Sequence, residues 1–198
     1  MSTRARMPLR EAVAVVRDVR RDEDVVISSM GTAREWMSLG PLHDRDFVFV
    51  PSAMGHATSL GLGIALAQPA RRIIVLSGDG SLLMSLGSLV TIAAAAPANL
   101  TVVLFDNGVY EVTGAQQTPG SLVPSGVDFA AMARAAGIVS VHRWSAIDDW
   151  RGAAAAGLAA KGPTLIVLDV VPVPGAAGPR SPGPTADRAK KFVAALHP

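Results

Sequence analysis

The chain has 198 residues, enough for one sizeable α/β domain but too few for two ordinary domains with separate cores. Hydrophobic residues make up 49% of the chain and charged residues only 17%, which excludes a disordered or purely solvating segment. Lysine and arginine (18) barely outnumber aspartate and glutamate (16), which disfavours nucleic-acid binding, and the lack of cysteine excludes disulfides, thiolate metal sites and a cysteine nucleophile.

Short β-branched runs alternate with alanine-rich stretches of helical length, a pattern typical of a parallel sheet covered by helices on both faces. We predict an α/β fold, a three-layer α/β/α arrangement with a six-stranded parallel sheet. The predicted strands cover residues 25–29, 47–50, 73–77, 100–105, 138–141 and 165–171. The predicted helices cover residues 8–20, 53–67, 82–95, 128–136, 146–160 and 186–196.

One domain is expected over residues 1–198, with residues 1–20 as an N-terminal helical arm and residues 172–198 as a proline-rich loop and C-terminal helix. Charged residues interrupt the apolar start, so we expect no export signal and a cytoplasmic protein. The uncharged stretch 81–105 is broken by Pro97 and Asn99 into pieces shorter than the ~20 residues of a membrane-spanning helix. No membrane segment is therefore expected.

Two polar motifs follow neighbouring predicted strands. Gly78-Asp79-Gly80-Ser81 comes directly after the third strand, and Asp106-Asn107 comes directly after the fourth. Because ligands collect at the carboxyl ends of parallel strands, a carboxylate and an amide oxygen placed there can share Mg²⁺. The glycines allow close approach of an anion, and a helix beginning near Ser81 directs free N–H groups towards it. Each motif alone is a common turn, but the pair predicts a site for Mg²⁺ and a diphosphate.

At these residues the sequence resembles the thiamine diphosphate enzyme superfamily, whose diphosphate-binding domain carries the same two motifs in this order. The resemblance implies thiamine diphosphate and Mg²⁺ as cofactors. It implies that the metal ligands are the Asp79 carboxylate, the Asn107 side-chain oxygen and the backbone carbonyl of Val109. The diphosphate contacts that it implies are Gly80 and Ser81, and Gly78 and Asn107 belong to the implied cofactor-binding residues.

Five segments are similar to phosphonopyruvate and sulfopyruvate decarboxylases. They are SSMGTAREW (28–36), SAMGHATSLGLGIAL (52–66), GDGSLLMSLGSLVTIA (78–93), DNGVYEVTGAQQTP (106–119) and RAKKFVAAL (188–196). The resemblance implies a carboxy-lyase that converts a small 2-oxo acid to an aldehyde. It also implies a β-type subunit in an α2β2 or larger hetero-oligomer, with a separate pyrimidine-binding (α-type) subunit supplying the glutamate that contacts N1′ of the cofactor.

Further site residues follow from the same resemblance. Met54 is expected under the cofactor, bending its two rings, although plain core packing is the alternative. The Ser52 carbonyl is expected to accept a hydrogen bond from the aminopyrimidine, and Gly55 belongs to the same cofactor-binding segment. His56 is a candidate for a catalytic place near the reacting carbon, or a structural histidine. Thr32 is a candidate contact for diphosphate or substrate.

The sequence departs from pyruvate decarboxylases, which carry a catalytic glutamate where this chain has Thr113. Proton handling around Thr113 is therefore expected to differ. Glu111 is the nearest carboxylate, and both a catalytic and a solvated role stay open for it. The remaining candidates are Gln116 and Gln117 as pocket residues, and Arg34 and Arg180 as contacts for a phosphono or sulfo group.

Three other functions stay open beside the decarboxylase. They are an acetolactate-synthase-like carboligase, the β subunit of a 2-oxo acid ferredoxin oxidoreductase, and a catalytically silent structural or regulatory subunit. A dinucleotide-binding function of Gly61-Leu62-Gly63 is rejected, because the pair lies inside a predicted helix and no strand ends immediately before it.

Overall fold

The structure, a computed structural model, describes residues 5–48, 54–173 and 181–197. Within these ranges seven strands form one sheet in which every pairing is parallel. They are β1 (Met7–Pro8), β2 (Val25–Ser28), β3 (Asp46–Phe47), β4 (Ile73–Gly78), β5 (Leu100–Asp106), β8 (Ser140–Trp144) and β9 (Thr164–Val171). A separate antiparallel hairpin pairs β6 (Val109–Tyr110) with β7 (Gln116–Gln117).

The strand order runs β3-β2-β4-β5-β9, and both β1 and β8 pair with β9. β4 and β5 lie next to each other at the centre, in a register that pairs Gly78 with Phe105. Their next residues, Asp79 and Asp106, therefore leave the same edge of the sheet side by side. This register brings the two predicted polar motifs together.

Nine helices and a short 3₁₀ turn at Glu111–Thr113 complete the described part of the chain. The helices are α1 (Leu9–Val19), α2 (Met30–Ser38), α3 (Ala57–Ala67), α4 (Asp79–Leu83), α5 (Ser88–Ala95), α6 (Pro119–Leu122), α7 (Phe129–Ala135), α8 (Ile147–Ala159) and α9 (Thr185–Leu196). None of them is long and apolar enough to cross a lipid bilayer.

Two hydrophobic cores lie on opposite faces of the sheet, because successive side chains of a strand point to opposite sides. Ile73 and Val75 belong to one core, which contains residues of α3, α5, α7 and α9. Ile74 and Leu76 belong to the other, which contains residues of α1, α2 and α8. The predicted three-layer α/β/α fold is confirmed.

The predicted strand count of six is wrong, because the sheet has seven strands. The additional strand, β1, consists of Met7 and Pro8 paired with Val170 and Val171. Two residues are too few to produce an alternating pattern, and the sequence pattern predicts Pro8 to be the first residue of a helix. Only the tertiary contact with β9 defines this strand.

Two helix predictions also differ from the structure. The helix α2 was not predicted, because its buried residues Thr32, Ala33 and Trp36 do not form a strong apolar stripe. The helix predicted over residues 82–95 is divided into α4 and α5, and α4 already begins at Asp79. The predicted metal ligand Asp79 is thus the first residue of a helix rather than part of a turn.

Two glycines of α3 have opposite environments and give a test of its packing. A Cβ atom on Gly61 would lie 2.3 Å from Val75 Cγ2, whereas one on Gly63 would meet no atom within 4 Å. We expect Gly61→Ala to lower the free energy of unfolding by about 1–3 kcal/mol through overpacking. Gly63→Ala should raise it by up to ~1 kcal/mol, because alanine favours the helix. Urea denaturation measures both, and equal effects would contradict this packing.

Candidate functional site

A cavity of about 270 Å³ lies at the carboxyl ends of β2, β4 and β5. It collects residues from several distant segments of the chain, which is the usual location of a ligand site in an open parallel sheet. The predicted site residues that line it are Thr32, Met54, Gly78, Asp79, Gly80, Ser81, Asn107, Val109, Glu111 and Thr113.

Three of the predicted cofactor-binding and catalytic residues do not line the cavity or lie outside the described ranges. Gly55 is buried beside the cavity, where its N–H donates to Ser81 Oγ at 3.0 Å, so it ties the Met54 turn to the first turn of α4. His56 is exposed just before α3 and is not among the residues that line the cavity. Ser52 lies outside the described residues.

Asp79 is the most unusual ionisable group in the cavity. Only 1% of the residue is exposed, and its Oδ2 accepts a hydrogen bond from the Thr118 hydroxyl at 3.1 Å. Burial, and then the negative charge of Asp106, raise the pKa of Asp79 to about 6. Hydrogen bonds from Thr118 and from the backbone of Gly80 and Asn107 offset only part of this effect. A buried carboxylate in this situation would be stabilised by a bound cation.

Asn107 begins a tight turn that carries the other predicted metal ligands. Its Oδ1 accepts a hydrogen bond from the Val109 N–H at 2.9 Å. Gly108 has a φ of +77°, a conformation that favours glycine. Because an amide oxygen has two lone pairs, Asn107 Oδ1 can keep this bond and still contact a cation.

The oxygen atoms in the cavity fit Mg²⁺ shared with a phosphate-bearing ligand. A carboxylate, an amide oxygen and a backbone carbonyl would leave coordination positions for phosphate oxygens and water, the mixed arrangement that Mg²⁺ prefers. The described residues contain no group of three or more His, Cys, Asp or Glu side chains that could hold a metal. The protein oxygens thus suit a cation whose coordination shell is completed by the oxygens of a bound phosphate ligand.

The two glycines beside Asp79 serve different purposes. A Cβ atom on Gly80 would lie 2.6 Å from the Tyr110 ring, so only glycine allows the β6–β7 hairpin to pack against α4. A Cβ atom on Gly78 would meet no atom within 4 Å, and Gly78 lines the cavity. The backbone at Gly78 thus faces space that a bulky anion could fill.

The start of α2 forms another wall of the cavity. Ser29, Met30, Gly31 and Thr32 all line it, and the N-cap Ser29 makes no side-chain capping bond. Free N–H groups at the start of a helix favour anions. The Thr32 hydroxyl is already within hydrogen-bonding distance of two carbonyl oxygens, Ser29 O at 3.0 Å and Leu76 O at 3.1 Å. It therefore holds α2 against β4 rather than offering a free donor.

Glu111 and Thr113 lie in the 3₁₀ turn at the rim of the cavity. Glu111 Oε1 accepts a hydrogen bond from the Val173 N–H at 2.6 Å, and its side chain is partly buried. The exposed Thr113 donates its hydroxyl proton to Gln116 Oε1 at 2.9 Å. Gln116 and Gln117 are exposed in β7 and do not line the cavity.

The two arginine candidates for substrate binding are not brought to the cavity. Arg34 lies on α2, partly buried, and is not among the residues that line the cavity. Arg180 lies outside the described residues.

Sequence reasoning missed residues that shape the site without standing in its motifs. Tyr110 packs against Gly80, and Thr118 bonds to Asp79. Arg143 on β8 pairs with Asp169 and, at 3.4 Å, with Asp106. It partly balances the charge that raises the pKa of Asp79. A threonine before a proline is typical of a helix N-cap, and an arginine in a strand is typical of a surface residue. No local sequence signal therefore indicated a role for Thr118 or Arg143 in the site.

Comparison with known proteins identifies the class. Residues 29–168 match the C-terminal TPP binding domain of thiamine pyrophosphate enzymes, and the chain belongs to this family. Its fold resembles the thiamine diphosphate-dependent 4-hydroxybenzoylformate decarboxylase of Rhodococcus jostii RHA1, with a TM-score of 0.70 at 26% identity over 86% of this chain and 34% of that one.

Two groups of named decarboxylases within this family are similar to the chain. The chain is 42% identical to the phosphonopyruvate decarboxylase of Streptomyces viridochromogenes over 89% of its own length and 43% of that protein. It is 43% identical to the sulfopyruvate decarboxylase subunit beta of Methanothermobacter thermautotrophicus over 59% of its length and 61% of that protein. The chain thus spans less than half of the phosphonopyruvate decarboxylases that it matches. The predicted resemblance to phosphonopyruvate and sulfopyruvate decarboxylases is confirmed.

Proposed function

We propose that this chain is the diphosphate- and Mg²⁺-binding subunit of a thiamine diphosphate-dependent 2-oxo acid decarboxylase of the sulfopyruvate or phosphonopyruvate type. It would release CO₂ from a small 2-oxo acid and form an aldehyde without oxidation. The observation that carries this proposal is the meeting of Asp79 and Asn107 at adjacent strand ends on one cavity. The similarity to named decarboxylases supports the reaction class.

Each residue of the cavity would have a defined task. Asp79, Asn107 and the Val109 carbonyl would hold Mg²⁺, and Gly78, Gly80 and Ser81 would leave room for the diphosphate. Thiamine diphosphate, when bound, supplies the carbon nucleophile and accepts the electrons left by departing CO₂. Met54 is 51% exposed and lines the cavity, and it would contact the cofactor rings.

The residues proposed for proton transfer differ in how well they fit that task. Glu111 lines the cavity, and with Oε1 held by the Val173 N–H its Oε2 can face a substrate. Thr113 lines the rim but lacks an acidic proton at neutral pH. His56 is exposed beside the cavity, so a catalytic role would require the partner or the substrate to approach α3. Glu111 is the candidate that the geometry favours.

A separate pyrimidine-binding subunit is part of the proposal. The single-chain relatives are more than twice as long as the segment matched here, and other relatives are named as beta subunits. The pair would act in the cytoplasm, a compartment with which the lack of cysteine for disulfides is consistent.

An uncharged surface next to the cavity supports the proposal that a partner subunit binds there. α3 and α5 carry no charged residue, whereas α1, α8 and α9 each carry several. The exposed residues of α3, of α5 and of the turn between α4 and α5 define this uncharged face: Ser59, Gly63, Leu66, Ala67, Met84, Gly87, Val90, Thr91, Ala94 and Ala95. Met84 also lines the cavity, so a subunit covering the face would reach the cofactor.

The proposal is tested by titrating the purified chain with thiamine diphosphate and MgCl₂, alone and with a candidate pyrimidine-binding subunit. CO₂ release is measured from 3-sulfopyruvate, 3-phosphonopyruvate and pyruvate. We expect turnover only with both subunits. A new carbon–carbon bond would instead indicate a carboligase, and CO₂ release that requires an electron acceptor would indicate an oxidoreductase. Absence of cofactor binding in both preparations would leave a catalytically silent subunit as the remaining interpretation.

Placing a charge on the uncharged face should prevent assembly. We expect Val90→Lys, at a side chain that is 59% exposed, to weaken binding of the partner by about tenfold or more, because ~1.4 kcal/mol is lost when the lysine is desolvated. Ala155→Lys, at an exposed position of α8 on the opposite face of the sheet, is the control and should have no effect. Surface plasmon resonance with the partner gives both affinities. Equal affinities would show that the partner binds elsewhere.

A further inference from the structure

Thr118 connects the two strand ends of the cavity. The residue is completely buried (0% exposed), and its hydroxyl donates a hydrogen bond to Asp79 Oδ2 at 3.1 Å. Its backbone N–H donates to the Gly108 carbonyl at 2.9 Å. Because Gly108 stands between Asn107 and Val109, one residue contacts both segments that carry proposed metal ligands.

The Thr118 side chain does not form the helix-capping hydrogen bond that its position suggests. Thr118 is the N-cap of α6, where a threonine oxygen usually accepts a hydrogen bond from the first turn of the helix. It makes no such bond. By contrast, Asp128 caps α7 by accepting from the N–H groups of Ala130 and Ala131 at 3.0 and 3.1 Å. The Thr118 hydroxyl is therefore committed to Asp79 although a local role was available.

Ser121 strengthens the same connection from the other side. Its hydroxyl lies 2.8 Å from the Gly108 carbonyl and 2.9 Å from the Thr118 carbonyl. Its backbone N–H donates to the Thr118 carbonyl at 2.9 Å. Thr118 is thus fixed by its backbone, and its hydroxyl has little freedom to turn away from Asp79.

We propose that Thr118 is a positioning residue for the cation site. Its hydroxyl holds Oδ2 of Asp79 and so fixes the orientation of the carboxylate towards the cation, while its backbone N–H keeps the turn from Asn107 to Val109 at a set distance from Asp79. The inference rests on the proposed function only for the identity of the ligand. The contacts that support it are independent of the reaction catalysed.

The test compares Thr118→Val, which removes the hydroxyl at nearly constant volume, with Thr118→Ser, which keeps it. Mn²⁺ replaces Mg²⁺ so that binding to the full chain, with thiamine diphosphate and the partner subunit present, is followed by electron paramagnetic resonance. We expect the valine variant to raise the dissociation constant for Mn²⁺ about 10- to 100-fold, the effect typical of lost outer-shell contacts. The serine variant should restore both the affinity and the line shape of bound Mn²⁺.

Thr164→Val is the matched control, because Thr164 is 1% exposed and donates its hydroxyl proton to Ser140 at 3.1 Å, away from the cavity. It should leave Mn²⁺ affinity unchanged. A valine variant at position 118 that has a lower thermal midpoint without metal but normal Mn²⁺ affinity would overturn the inference. Thr118→Ala repeats the test if the valine variant does not fold. A wild-type chain that binds no Mn²⁺ would refute the proposed function itself.

Discussion

Replacing Asp79 with asparagine should abolish Mg²⁺-dependent binding of thiamine diphosphate and should also stabilise the metal-free chain. Loss of the only carboxylate among the proposed ligands should cost more than the ~10- to 100-fold in affinity that outer-shell changes cause. Isothermal titration calorimetry with MgCl₂ as the titrant, in the presence of the cofactor, measures this loss of affinity. Wild-type affinity in the variant would exclude Asp79 as a ligand.

The stabilisation follows from the raised pKa of Asp79. Its folded-state pKa is about 6, compared with 3.8 for the ordinary group, so ionisation above pH 6 opposes folding. The shift of about two units corresponds to roughly 3 kcal/mol. Because asparagine cannot accept every hydrogen bond that the carboxylate accepts, we expect a net gain of about 1–2 kcal/mol at pH 7.5.

The pH dependence distinguishes this mechanism from a general effect of substitution. The contribution of Asp79 makes the free energy of unfolding of the metal-free wild type fall as pH rises from about 4 through about 6, and Asp79→Asn should lack this component. Urea denaturation at several pH values gives the difference between the two proteins. A difference that does not change with pH would contradict the assignment.

Asp24→Asn is the matched control for replacing a buried carboxylate. Asp24 is 2% exposed and forms a salt bridge with Arg72. Its replacement leaves a partly buried arginine without its ionic partner, so we expect stability to fall by about 2–4 kcal/mol. Mg²⁺ binding should not change. Opposite changes in stability at Asp79 and Asp24 would therefore separate a binding carboxylate from a structural one.

The second large effect is expected at the two glycines that flank Asp79. Gly80→Ala would place a methyl group 2.6 Å from the Tyr110 ring, so the ring and the β6–β7 hairpin must move. We expect a loss of about 1–3 kcal/mol in stability from overpacking. Cofactor affinity should fall with it, because Val109 in the same hairpin is a proposed metal ligand.

Gly78→Ala should separate binding from stability. Its methyl group would meet no protein atom within 4 Å and would occupy space in the cavity. The thermal midpoint of the metal-free chain should therefore stay close to wild type, while cofactor binding weakens about tenfold, or ~1.4 kcal/mol. Thermal unfolding with and without thiamine diphosphate and MgCl₂ measures both quantities. Normal cofactor binding in Gly78→Ala would show that the diphosphate lies elsewhere.

The main features of the site could be predicted because its chemistry lies on regular elements. Val75 and Val103 belong to apolar strands whose identity is clear from composition, and the polar residues that follow each strand must share one edge of a parallel sheet. This argument placed Asp79 and Asn107 on one cavity without any structural information. The argument does not extend to His56, a candidate from the resemblance alone, which stands just before α3 where no strand defines its direction.

The amino-acid sequence alone thus determined the α/β class, the central strands, the edge of the sheet at which Asp79 and Asn107 meet, and the family. The tertiary structure alone decided that Met7 and Pro8 form a strand, that α2 exists, and that the Thr118 hydroxyl bonds to Asp79 rather than to its own helix. The physical reason is the range of the interactions. Hydrophobic periodicity and strand ends are local properties, whereas a hydrogen bond between residues 79 and 118 depends on how distant segments pack.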